Sequence, residues 1–276
     1  MRLTIVGSSG SMSGPGSPAA GYLVQAADAA GRTWSVLLDL GPGAFGQLMN
    51  HLDPRALDAL VLSHLHPDHM ADVTSLQVFL RYHPEGECPA IRTVGPVLTA
   101  ERIGGVCWLS PEEVERQFAV EHHEDGRVVT VGPLRLEAFA VRHPVPAFGV
   151  RIEGPSAVDG RTVRLAYTGD TDSCAAAVRL ADGVDLLLAE ASFQEGREDL
   201  IRGIHLTGLR AGRLAAGTGD DDGGPLPAGE RVSEPVGRLV LTHLPPWTAA
   251  DVVTAEARQA YDGPIDVARP GATWEL

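Results

Sequence analysis

A chain of 276 residues, 44% hydrophobic and 21% charged, has the length and apolar content of a soluble globular protein of one large domain or two small ones, able to bury a sizeable core. Its net charge of −14 disfavours wrapping long DNA or RNA, while a small anionic substrate stays compatible with a site that inverts the local field. Three scattered cysteines, Cys88, Cys107 and Cys174, argue against a disulfide framework, and no apolar run is long enough for a membrane span, so a cytoplasmic location is expected.

In chain order, "RLTIVG" (2–7) reads as a strand followed by a Gly/Ser/Pro loop (7–18). "AGYLVQA" and "TWSVLLDLG" are two more strands around a turn at Asp28–Gly31, so the chain opens as a meander. "LDALVLSH" (57–64) is a strand, and the apolar spacing of 72–83 predicts a helix. "AIRTVGP" is a strand; "SPEEVERQFAV" opens a helix with Ser110 as cap, Pro111 in the first turn and Glu113 three residues after the cap. A second β-rich half has strands near 127–131, 134–142, 147–153 and 162–168. It continues with a helix at 173–183, a strand in "VDLLLAEAS" and a small-residue helix at 205–217. Residues 217–237, rich in Asp, Gly, Pro and Glu, are expected to form a mobile surface loop within one domain spanning 1–276. "RLVLTHLP" (238–245) is the last clear strand, and 248–261 closes the chain as a helix with Thr248 as cap. Strands followed by helices, twice over, suggest two sheets packed face to face with helices outside: an α/β, four-layer αββα sandwich.

The stretch "SHLHPDHM" (63–70) concentrates His64, His66, Asp68 and His69 where a strand gives way to a helix. His64 and His66, two apart in extended chain, point the same way, while Asp68 and His69 begin the next helix. One pair can therefore face one metal and the other pair a second, about 3.5–4 Å away. Such a site needs further ligands at strand ends, and the sequence offers His143 in "AVRHP", Asp170 in "YTGDT" and His243 in "VLTH". Singly, each has a blander reading: a solvated loop, a surface histidine, a turn residue, a structural cap. Their repeated place at the ends of apolar strands favours the metal. His51, His122 and His123 read as surface residues; His83, beside Arg81 and Tyr82, faces a substrate or ends a helix.

Together these motifs resemble the metallo-β-lactamase superfamily, over nearly the whole chain. The resemblance implies the αββα fold with a dinuclear centre: His64, His66 and His143 on one metal, Asp68, His69 and His243 on the other, and Asp170 bridging. Two divalent ions per chain are implied, zinc by the histidine-rich donor set, with manganese compatible with the carboxylates. "LLLAEASF" followed by "HLTGLRAGRLAA" looks like the ribonuclease Z-type phosphodiesterase branch, which makes Glu190 and His205 a second catalytic pair, with Asp68 both ligand and orienting group. The short stretch between His143 and Asp170 lacks room for the long arm with which ribonuclease Z grips transfer RNA. "GPGSPAAGYLV", "LRYHP", "HLTG" and "LTHLPPWT" look closer to actinobacterial cyclic-AMP phosphodiesterases of this fold. The expectation is a metal-dependent phosphodiester hydrolase acting on a cyclic nucleotide, as a homodimer. The alternatives are a ribonuclease Z-like endonuclease, a generic phosphodiesterase, or a thioesterase, lactonase or sulfatase on the same fold. Aromatic candidates for base stacking are Tyr22, Phe45, Phe79, Tyr82, Phe148 and Trp247.

Overall fold

A computed structural model describes residues 1–197 and 201–276. The first half runs β1 (Arg2–Gly7), β2 (Gly21–Ala27), β3 (Thr33–Leu38), α1 (Ala44–Leu48), β4 (Ala59–Val61), α2 (Pro67–Met70), α3 (Val73–Tyr82), β5 (Ile91–Gly95), α4 (Thr99–Cys107), α5 (Pro111–Gln117) and β6 (Phe118–His122). The second half runs β7 (Val128–Val131), β8 (Leu134–Ala140), β9 (Phe148–Pro155), β10 (Thr162–Tyr167), α6 (Ala175–Ala181), β11 (Leu186–Glu190), α7 (Gly208–Ala216), β12 (Leu239–Thr242), α8 (Ala250–Arg258), β13 (Ile265–Val267) and β14 (Thr273–Glu275). One sheet has the order β14-β1-β2-β3-β4-β5-β6 and the other β13-β12-β11-β10-β9-β8-β7.

Alternation along the strands builds the layers, because successive side chains leave opposite faces. Val24, Val36 and Leu38 of the first sheet meet Val150, Leu165 and Leu188 of the second in a central core. Their neighbours Leu23, Leu37 and Leu60 turn outward onto α1 and α3 through Phe45, Leu48 and Leu76. Ala166, Leu187 and Leu241 turn outward onto α6, α7 and α8 through Leu180, Ala211 and Val253. Three apolar layers separated by two sheets are the αββα sandwich expected from the sequence. Among the described residues no helix is long and apolar enough to cross a membrane.

Two buried tyrosines cross the sandwich reciprocally. Tyr22, on the first sheet, shares a hydrogen bond of 2.9 Å with Thr242 Oγ1 on the second. Tyr167, on the second, donates to Asp39 at the end of β3, at 2.7 Å. Their rings lie 4.9 Å apart.

Several local expectations need correction. α1 and α4 are helices that short or glycine-broken apolar spacing concealed, and β6 takes up the apolar end of the segment read as one helix with α5. α7 begins at Gly208 under a Thr207 cap rather than at His205. α8 begins at Ala250, and Thr248 donates its hydroxyl to the Ser192 carbonyl instead of capping. His123 is buried rather than on the surface, and Tyr22 and Phe45 are core residues with no face free for a base. The Ser110–Glu113 capping box is present as read. Residues 217–237 lie against the end of α7, with Val232 N donating to Gly217 O and Val236 N to Ala215 O.

Candidate metal centre

The parallel strands β3, β4, β10, β11 and β12, together with β8, all end at one edge of the sandwich. Each end hands over polar side chains. Asp39 follows β3; Ser63 and His64 follow β4; His143 follows β8; Asp170 follows β10; Glu190 ends β11; His243 follows β12. Pro67 starts α2 directly after His66, so Asp68 and His69 fall in a tight turn beside their two preceding histidines. Gly169, at φ 59°, supplies the left-handed turn that brings Asp170 back over the edge.

His64, His66 and His143 form one cluster: His66 Nδ1 lies 3.1 Å from His64 Nε2 and 3.2 Å from His143 Nε2. Asp68, His69, Asp170 and His243 form a second. In it, His243 Nε2 lies 3.0 Å from His69 Nε2 and 3.1 Å from Asp68 Oδ2. Asp170 spans both clusters, with Oδ1 3.2 Å from His69 Nε2 and Oδ2 3.7 Å from His64 Nε2. All seven side chains read from the sequence as ligands therefore meet. A third group joins Glu190 and His205 to His243. His205 donates from Nδ1 to Glu190 Oε1 at 2.8 Å, and its ring lies 5.6 Å from that of His143 and 5.5 Å from that of His243.

The outward nitrogens decide what the inward ones carry. His143 Nδ1 donates to the Ile204 carbonyl at 2.9 Å and His69 Nδ1 to Asp39 Oδ2 at 2.7 Å. Ser63 Oγ gives its hydrogen to Asp39 Oδ2 at 2.7 Å, which leaves it to accept from His64 Nδ1 at 3.1 Å. His243 Nδ1 lies 2.8 Å from Ser192 Oγ. With protons so placed, inward nitrogens present lone pairs to one another and to carboxylate oxygens. Such an arrangement repels itself unless a proton or a cation lies between. Asp170 Oδ1 is moreover buried without a well-aligned donor. Three nitrogens around a tetrahedral zinc stand about 3.3 Å apart, close to the observed spacing. The residues present thus fit divalent metal ions.

The electrostatics differ between the clusters, favouring positive charge beside Asp170 and Asp39 and opposing it at His64. Burial opposes charging His69, yet Asp170 and Asp39 outweigh it and lift its pKa well above the ordinary value. Burial, reinforced by neighbouring His69, pushes His64 well below its own. Burial also works against the Asp170 carboxylate, but His243 and His69 hold its pKa well down. His205 is penalised by burial as well, and Glu190, by charge and hydrogen bond, raises it to about 9.

Several supporting residues were not legible as functional. Asp39, buried and at φ 58°, accepts from Ser63 N, Ser63 Oγ, His69 Nδ1 and Tyr167 Oη, each at 2.7 Å. In sequence it is only the polar residue of "LLDLG"; its place at a strand end, like that of the candidate ligands His64, His143, Asp170 and His243, was the available signal. Ser192 and the Ile204 carbonyl carry no signal at all. Gly10 packs on the His243 backbone so closely that a Cβ would lie 2.2 Å from its carbonyl oxygen. His83 ends α3, with Nδ1 accepting from Glu85 N, and Arg81 pairs with Glu87. A cavity of about 550 Å³, lined by Gly104, Val114, Phe118 and His122, lies between α4, α5 and β6 and includes none of the clustered residues.

The chain is 38% identical to an uncharacterized protein of Mycobacterium leprae, over all of this chain and 89% of that one. It is 29% identical to the ribonuclease Z of Myxococcus xanthus, over 87% and 88% of the two chains. The crystal structure of the metallo-β-lactamase fold protein YhfI from Bacillus subtilis superposes with a TM-score of 0.78 at 25% identity, covering 100% of this chain and 98% of that one. Residues 34–243 match the family described as the beta-lactamase superfamily domain. With its two helix-covered sheets and its His/Asp cluster at their shared edge, the chain belongs to the metallo-β-lactamase superfamily of metal-dependent hydrolases.

Proposed function

We propose that this protein hydrolyses a phosphodiester, with 3′,5′-cyclic AMP as its substrate. The observation that carries the reading is the convergence of seven His and Asp side chains on two adjoining clusters, bridged by Asp170 and flanked by the His205–Glu190 pair. His64, His66 and His143 would hold one divalent ion, Asp68, His69 and His243 a second, and Asp170 both; the nitrogen-rich donor set suits zinc. Ions held there would lower the pKa of a water toward about 7 and offset charge on the phosphoryl oxygens.

The chain's own groups do the rest. Asp68, the most open of the three carboxylates, orients the attacking water in line with the leaving oxygen. His205 keeps its Nδ1 proton on Glu190, so Nε2 is the nitrogen left to hand a proton to the departing 3′-oxygen. Glu190 is itself pinned by the Thr171 amide at 2.9 Å and the Ser192 amide at 3.1 Å, which fixes the imidazole plane. Trp247, 61% exposed four residues beyond His243, is an aromatic face available for a base.

The ribonuclease Z relative supports a second reading, an RNA endonuclease. Against it stand the −14 net charge and the stretch between His143 and Asp170, which is spent on β9, β10 and their turn. The deciding experiment is turnover of cyclic AMP, cyclic GMP, a 2′,3′-cyclic nucleotide and a transfer-RNA precursor, with and without chelator. Chelator-sensitive hydrolysis of cyclic AMP ahead of the others is expected. Preference for the RNA precursor overturns the substrate, and activity indifferent to metal overturns the mechanism.

A further inference from the structure

Residues 201–205 belong to no helix or strand, so no ladder of hydrogen bonds places them. Yet they carry the two features that the edge depends on: the Ile204 carbonyl, which receives the His143 Nδ1 proton, and His205 itself. What holds them is Asp172, two residues beyond Asp170 and fully buried. Its Oδ2 accepts from the Gly203 amide and from Arg202 Nε, each at 2.7 Å, and its Oδ1 accepts from Arg202 Nη2 at 3.2 Å and from the Ser173 amide at 2.7 Å. Its backbone amide donates to Arg142 O, next to His143, at 2.9 Å. The same turn supplies Thr171, whose hydroxyl accepts from Arg142 N at 3.1 Å and whose amide donates to Glu190. From the far side, Arg202 Nη2 donates to Asp222 O at 2.5 Å and Arg142 Nη1 pairs with Asp222 Oδ1 at 3.2 Å, which brings the 217–237 segment against this turn.

We propose that Asp172 is a positioning residue for hydrolysis: through Arg202 and the Gly203 amide it fixes the 201–205 segment, and so sets His143 and His205 together. A buried carboxylate gripping a guanidinium by two bonds gives the directionality this requires. One side chain thereby couples a ligand of one cluster to the acid of the other pair, and an orientation error of about 1 Å at either costs on the order of 100-fold in rate. The inference rests on the roles proposed above for His143 and His205.

The test compares Asp172→Asn, Arg202→Met and Arg202→Lys with wild type. Readouts are kcat and KM on cyclic AMP, whose alkoxide leaving group needs a proton, and on bis(p-nitrophenyl) phosphate, whose leaving group does not, together with the visible absorption of the cobalt-loaded protein and the thermal midpoint. Asp172→Asn and Arg202→Met are expected to lose roughly 10- to 100-fold in kcat on cyclic AMP with little change in KM, to lose less on bis(p-nitrophenyl) phosphate, and to shift the cobalt bands as His143 reorients. Arg202→Lys, which keeps the charge, recovers part of the loss, and Asp222→Ala, which removes only an exposed carboxylate, stays close to wild type. A loss that merely tracks the folded fraction, with unchanged cobalt bands, overturns the proposal. Wild-type protein that takes up no cobalt overturns the reading of the whole centre, whereas active wild type with unaffected variants overturns only the role of Asp172.

Discussion

Asp39 is the support on which the centre can be tested most directly. Replacing it by asparagine keeps its shape but removes its charge and one acceptor face. Oδ2 receives Ser63 Oγ, His69 Nδ1 and Tyr167 Oη, while Oδ1 receives Ser63 N. An amide can place its oxygen at the first position only by turning its NH2 toward the Ser63 amide. One buried donor is then left facing another, which costs about 1–3 kcal/mol. Loss of charge assistance to the remaining three bonds brings the expected destabilisation to about 3 kcal/mol. His69 keeps an acceptor but loses the negative charge that makes its inward nitrogen basic, so metal affinity should fall about 10- to 100-fold. Urea unfolding of metal-free protein measures the first effect, and competition for zinc against a chromogenic chelator the second. Stability within about 0.5 kcal/mol of wild type, with unchanged zinc affinity, would refute the argument that Asp39 organises the centre.

Four further outcomes are expected. His205→Ala should retain metal and lose most turnover of cyclic AMP; unchanged turnover removes its role as proton donor. Asp170→Ala should lose metal and activity together, since its carboxylate touches both clusters, and metal content measured by elemental analysis checks this. Gly10→Ala drives a methyl into the His243 carbonyl and should cost about 1–3 kcal/mol along with zinc affinity; a fully stable, metal-replete variant refutes the close approach. Burial lowers the pKa of His123 from 6.5 to about 4, so the unfolded chain binds its proton first as pH falls. Its contribution is intact above about pH 6.5 and is lost on the way down to about 4, worth about 3 kcal/mol in all. His123→Leu should flatten stability over that window, and an identical pH dependence would contradict the assignment.

The long strands were legible because alternation and β-branched runs mark them directly. The candidate ligands were legible because His64, His143, Asp170 and His243 follow such strands and His66, Asp68 and His69 crowd into the turn just after His64. α1, at five residues, and α4, broken by Gly104 and Gly105, are too short or too glycine-rich for apolar spacing to reveal. His123 was misread because its neighbours Glu121, His122 and Glu124 are polar; only the packing of β6 against β5 and the ring of Phe148 puts it inside. Asp39 acts on Ser63 and Tyr167, 24 and 128 positions away, Asp172 on Arg202, 30 away, and Ser192 on His243, 51 away, relations that only the folded topology creates. Which helix His205 belonged to was settled by Thr207, whose hydroxyl accepts the Arg210 amide and starts α7 after the histidine has already turned toward the edge.

The reciprocal tyrosines carry a consequence for how such an edge keeps its alignment. Apolar side chains packed between two sheets resist separation but tolerate small lateral slip, because dispersion has no direction. Hydroxyls anchored to Thr242 and Asp39 do have direction, and they point opposite ways across the gap. Sliding either sheet would stretch both bonds at once, directly beneath the residues contributed by each half. Tyr22 and Tyr167 therefore act as dowels, fixing the two halves of the centre to a common origin before any ion arrives.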